Sequence, residues 1–165
     1  MKKTSLAALI LLVLIVALMS NARAQSPQQT LDQYVSDLQK NPHDNAVREK
    51  IIKHVQTMRP SPVIPEEARR HYVMAKTFYK DAKKIEDYNA AMDAFQKALL
   101  IAPWWPDANR EFGIAAKGAQ RYDDAIAALK LYIATNPGKD KARATQDEIY
   151  KIEAKKKDVQ KKSGQ

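Results

Sequence analysis

The 165-residue chain has no cysteine, only three histidines, four glycines and two tryptophans. Without cysteine there is no disulfide, no thiolate ligand and no thiol nucleophile, so the fold must hold by packing alone. His43, His54 and His71 lack metal-ligand spacing, and their expected roles are structural. Gly113 and Gly118 form no phosphate loop, and no G-x-S-x-G elbow presents a serine. No stretch alternates apolar and polar residues with period two, so no sheet is expected.

What the chain does have begins with Lys2 and Lys3, then an apolar run from Leu6 to Met19 and the small-residue site Ala22-Arg23-Ala24. That run fits a signal-peptide h-region and falls short of the roughly 20 residues a spanning helix needs. A signal peptide over residues 1–24 is therefore expected, cleaved before Gln25, with export to a periplasm. The alternative is an inner-membrane anchor formed by residues 5–20. No cysteine follows the run, so no lipid attachment is expected. Removing Lys2, Lys3 and Arg23 with no acid lowers the net charge from +9 to +6.

Beyond Gln25, helix formers dominate and prolines punctuate. Pro42, the "RPSPVIP" of residues 59–65, Pro103 with Pro106, and Pro137 each mark a helix boundary. Amphipathic segments lie between them, at roughly 29–40, 44–58, 65–84, 88–101, 106–119, 122–135 and 140–160. Short turns between helices of this length predict antiparallel helical hairpins. Tyr88 and Tyr122, Ala91 and Ala125, Phe95 and Leu129, Leu99 and Ile133, and Pro103 and Pro137 are each 34 residues apart, as are Phe78 and Phe112. A fixed period carried by helix pairs marks a helical repeat array.

In this pattern residues 106–139, "PDANREFGIAAKGAQRYDDAIAALKLYIATNPGK", resemble the tetratricopeptide repeat family. Phe112-Gly113 is similar to the large-small pair of the family's first helix, with Gly113 admitting close approach. Tyr122, Ala125 and Leu129 match the aromatic, small and large positions of the second, and Pro137 closes it. Tyr132 departs from the pattern, which has a small residue there; it either packs on the C-terminal helix or widens the local spacing. The preceding repeat matches over "YNAAMDAFQKALLIAP", but its first helix is too long. One register puts Ala75 at the small position with His71, Met74 and Phe78 buried; the other puts Tyr79 there.

The resemblance implies an all-α fold, a tetratricopeptide-like antiparallel helical hairpin array forming a short right-handed solenoid. Residues 25–64 would form an N-terminal hairpin (a partial repeat, with Ile51, Ile52 and Val55 buried) and a Pro-rich linker. Residues 65–139 would form two repeats, and residues 140–165 a capping helix with a fraying basic tail. The family's concave face carries over to Asp107, Arg110, Ile114 and Lys117. In the irregular repeat it carries over to Lys76 and Lys80, joined in the first register by Arg69, Tyr72 and Tyr79. A basic groove of this kind suits an acidic peptide or a C-terminal carboxylate.

The expected function is thus non-catalytic: a protein-binding scaffold or adaptor with no cofactor and no metal. The acids Glu66, Glu67, Asp123 and Asp124 are accounted for by helix starts rather than acid–base chemistry. The alternative is a self-associating or membrane-associated envelope subunit, so a homo-oligomer is possible. Nucleic acid is not an expected partner, because acids interrupt the basic residues. Membrane contact would come only through an uncleaved signal segment or the basic tail. Of Trp104 and Trp105, one ring is expected in the junction between repeats and the other largely exposed.

Overall fold

The computed structural model describes residues 25–163, so the apolar N-terminal run and its cleavage site lie outside the described residues. Those described are all-α: α1 Pro27–Lys40, α2 Asn45–Thr57, α3 Glu66–Asp81, α4 Ile85–Ile101, α5 Pro106–Gly118, α6 Tyr122–Ala134 and α7 Lys139–Ser163. None of these helices is long and apolar enough to cross a membrane.

Local chemistry sets the boundaries. Ser26 opens α1 by accepting from the Gln29 amide at 3.2 Å, while the Gln29 side chain accepts from the Ser26 amide at 2.9 Å. The Asp44 carboxylate caps α2 by accepting from the Val47 amide at 3.0 Å. Helix α3 stops at Asp81, short of the expected 84, because Ala82 is extended. Helix α4 starts a turn early, at Ile85 rather than 88. The Asp87 carboxylate accepts from the Lys83 and Lys84 amides at 2.9 and 3.0 Å and organises that extra turn.

The terminal lysine-rich segment, expected to fray, is helical through Ser163. Ile149 and Ile152 are buried on its inner face, and Lys156 pairs with Asp123 at the start of α6.

Sequential helices pack on one another: α3 on α4, α5 between α4 and α6, and α7 on α6. Their shared core contains Ala75, Ala91, Phe95, Ala115, Ala125 and Leu129, and Ile149 of α7 closes it. A second core joins Leu31 and Leu38 of α1 to Ile51 and Val55 of α2, with Leu100 and Trp104 packed against it. Thus the N-terminal hairpin does not precede the array in line. It pairs with itself and lies across α4 and α6, where the Gln56 side chain donates to the Ala134 carbonyl at 2.7 Å. Ile51, Ile52 and Val55 are buried as expected.

Two expectations about packing change. Ala75 is fully buried, but Met74 and Phe78 are exposed, because no element covers that face of α3 as it covers the matching side of α5. Neither tryptophan is largely exposed; both are half-buried, in separate environments. Trp104 joins the N-terminal core, and Trp105 stacks on Tyr72 of α3 with ring centroids 4.4 Å apart. The turn between them is tied by Asn109, whose side-chain amide donates to the Pro103 and Trp105 carbonyls, both at 2.9 Å.

Gly113 sits at the close approach of α5 to α6. A Cβ there would lie 2.9 Å from Leu129 Cγ and 3.2 Å from the Ala125 carbonyl oxygen. Gly118 has the same constraint, unanticipated from sequence, against the Tyr88 ring. In an open helix, Gly→Ala stabilises by about 1 kcal/mol. Here overpacking costs about 1–3 kcal/mol and outweighs that gain. Gly113→Ala is therefore expected to lower stability by roughly 1 kcal/mol in urea unfolding. A higher midpoint would show that the two helices are not in close contact.

Candidate functional site

Helix α5 repeats its outward positions every three to four residues, which aligns Asp107, Arg110, Ile114 and Lys117 on one face. That face forms one wall of a cleft of about 490 Å³. Helix α7 supplies the other wall through Lys141, Ala144, Thr145 and Glu148, and Leu129 and Tyr132 of α6 form the floor. Tyr132 is buried. It is the residue that departs from the repeat pattern, and its size builds the floor between α5 and α7.

Across the cleft, Lys117 Nζ donates to Glu148 Oε1 at 2.7 Å. That hydrogen bond holds the Glu148 carboxyl below its ordinary value, burial opposing it and the charges of Lys117 and Lys151 adding to it. At the other wall of α5, Glu111 receives Arg110 at 3.1 Å and Lys76 of α3 at 3.5 Å. The face is therefore mixed in charge: Arg110 is held by Glu111 of its own helix, and Lys117 by Glu148 of α7. Lys141 makes no ion pair among the described residues.

The seven residues singled out by sequence divide into groups. Arg110 and Lys117 line the cleft. Lys76 joins them through Glu111. Tyr72 and Tyr79 are half-buried spacers between helices: Tyr72 touches Trp105 and Phe95, and Tyr79 meets the edge of Tyr88 at 5.8 Å. Burial raises both phenols above their ordinary value; nearby Glu111 adds to it for each, and Tyr88 does so for Tyr79. Arg69 pairs with Glu66 in solvent, and Lys80 is exposed; neither lines the cleft. The α7 wall was missed by sequence reasoning, since Lys141 and Glu148 meet α5 only through the fold.

A second cleft, about 850 Å³, runs between α1 and the Pro-rich segment. Leu31, Val35, Ile101 and Trp104 make it mainly apolar. Trp104 Nε1 is buried there without a hydrogen-bond partner. The histidines are dispersed: His54 Nε2 lies 2.8 Å from the Pro27 carbonyl, tying α2 to the start of α1. Among the described residues no group of His, Asp and Glu is arranged to hold a metal ion.

No protein-family model, curated protein or solved structure matches the chain. The likeness to tetratricopeptide repeats therefore stands on the spacing of its own residues.

The depressed Glu148 carboxyl makes a directional prediction. A carboxyl held low in the fold adds stability at pH values above its unfolded pKa, near 4.5, and that contribution is lost as pH falls through the folded value. Glu148→Gln removes the contribution. Its melting temperature is expected to lie below that of the unmodified chain at neutral pH, with the gap closing in acid. A gap that stays constant with pH would show that the Lys117–Glu148 bond contributes no linkage.

Proposed function

We propose that this chain is a non-catalytic protein-interaction module of the tetratricopeptide type, exported to the cell envelope, which receives a peptide or helix of a partner protein in the α5–α7 cleft. The observation that carries this reading is the cleft itself. It gathers the α5 face picked out by the family pattern and supplies an apolar floor from Leu129 and Tyr132. Polar groups around an apolar floor suit a bound chain, because burial supplies affinity and fixed charges supply orientation. Lys141, which makes no ion pair among the described residues, borders the cleft and offers a cationic donor for a carboxylate; Arg110 beside it is shared with Glu111, and Lys117 is held by Glu148. The occupant expected is thus an acidic segment or chain terminus with one apolar side chain. Export rests on the order of charged start, apolar run and Ala-x-Ala site in residues 1–24.

Charge reversal at Arg110 and Lys141 tests the assignment without disturbing the Lys117–Glu148 bond. Partners captured by the unmodified chain are identified by mass spectrometry, and peptides from them are titrated against Arg110→Glu/Lys141→Glu. The expected result is a loss of at least about tenfold in affinity, roughly 1.4 kcal/mol. Equal affinity for both proteins would remove the cleft as the binding surface.

A further inference from the structure

Helix α5 is covered on two sides and α3 on one. Helix α5 lies between α4 and α6, and its Ala108, Ala115 and Ala116 are fully buried. Aligning Ala75 with Gly113, two small buried residues, brings Arg70, Met74, Thr77 and Phe78 onto Ala108, Phe112, Ala115 and Ala116. The positions that are buried or half-buried in α5 are exposed in α3. Met74 is 45% exposed, Phe78 43% and Val73 61%, so three apolar side chains stand exposed on one face of α3, flanking Arg70 and Thr77. The N-terminal hairpin, which would cover it in a linear array, lies on α4 and α6 instead.

We infer that this α3 face is closed by the same face of a second copy of the chain, giving a two-fold antiparallel dimer. The order of charges along α3 selects this occupant. The helix begins with Glu66 and Glu67, carries Arg70, and ends at Asp81, followed by Lys83 and Lys84. When two such helices run antiparallel with Val73 over Phe78 of the second copy, Met74 falls on Thr77. Arg70 then faces Asp81, and Glu67 faces the turn at Lys84. Symmetry repeats each pair, as an isologous contact requires. A parallel arrangement would oppose like charges along the whole stripe. A contact through one helix per copy is small, so the dimer is expected to dissociate on dilution.

Sedimentation velocity over a concentration series of the full chain, as recovered from expressing cells, tests the inference. The unmodified chain is expected to pass from monomer to dimer. Met74→Glu/Phe78→Glu is expected to stay monomeric with unchanged helicity by circular dichroism, since both side chains are exposed. Asp81→Arg is expected to weaken the dimer at least tenfold, and Arg70→Asp/Asp81→Arg to restore it. A chain that is monomeric at every concentration overturns the inference. So does a dimer that survives Met74→Glu/Phe78→Glu, or a charge exchange that fails to restore association. The outcome is independent of the α5–α7 cleft, which lies on other helices.

Discussion

Between α4 and α5 the chain turns through Pro103, Trp104, Trp105 and Pro106, and the two indoles leave that turn for different neighbours. Trp104 packs into the core of the N-terminal hairpin, and Trp105 stacks on Tyr72 of α3. Asn109, almost fully buried, reaches back from α5 to two carbonyls of the same turn. One short segment thereby couples α1 and α2, α3, and the α4–α5 junction. The prolines bracket it where they break no helical hydrogen bond, with Pro106 at the first position of α5. The arrangement has a cost, because Trp104 Nε1 is buried without an acceptor, a penalty of about 1–3 kcal/mol. Burial of the large ring offsets it.

The seam also determines which surfaces are left open. By holding the N-terminal hairpin over α4 and α6, it leaves the outer face of α3 without a neighbour. On other helices, α5 and α7 border a cleft floored by α6. The two surfaces differ in character: α3 presents Val73, Met74 and Phe78 between charges, whereas the cleft presents charges around Leu129 and Tyr132.

Much of this architecture was legible in the sequence. Prolines and amphipathic stretches located the helices, and the close approach expected at Gly113 is seen against Leu129 and the Ala125 carbonyl. Local patterning is enough for such features, because a helix's start, stop and apolar stripe are written in its own residues. Patterning does not say what covers a stripe. Met74 and Phe78 have the spacing of buried residues and are exposed, since their expected cover lies elsewhere in space. The same limit applied to the tryptophans: adjacency correctly implied different directions, but the hairpin that half-buries Trp104 comes from residues far away in the chain. Charge in the cleft was legible only in part. Lys117 and Arg110 were identifiable on α5, but Glu148 lies 31 residues beyond Lys117, and only the docking of α7 brings the two together.

Trp104 fastens the N-terminal hairpin to the remainder of the fold. Amide hydrogen exchange on Trp104→Ala tests this most directly, read helix by helix against the unmodified chain. Amides of α1 and α2 are expected to lose protection while those of α5, α6 and α7 keep theirs. Unchanged protection in α1 and α2, or an equal loss across all the helices, would contradict it.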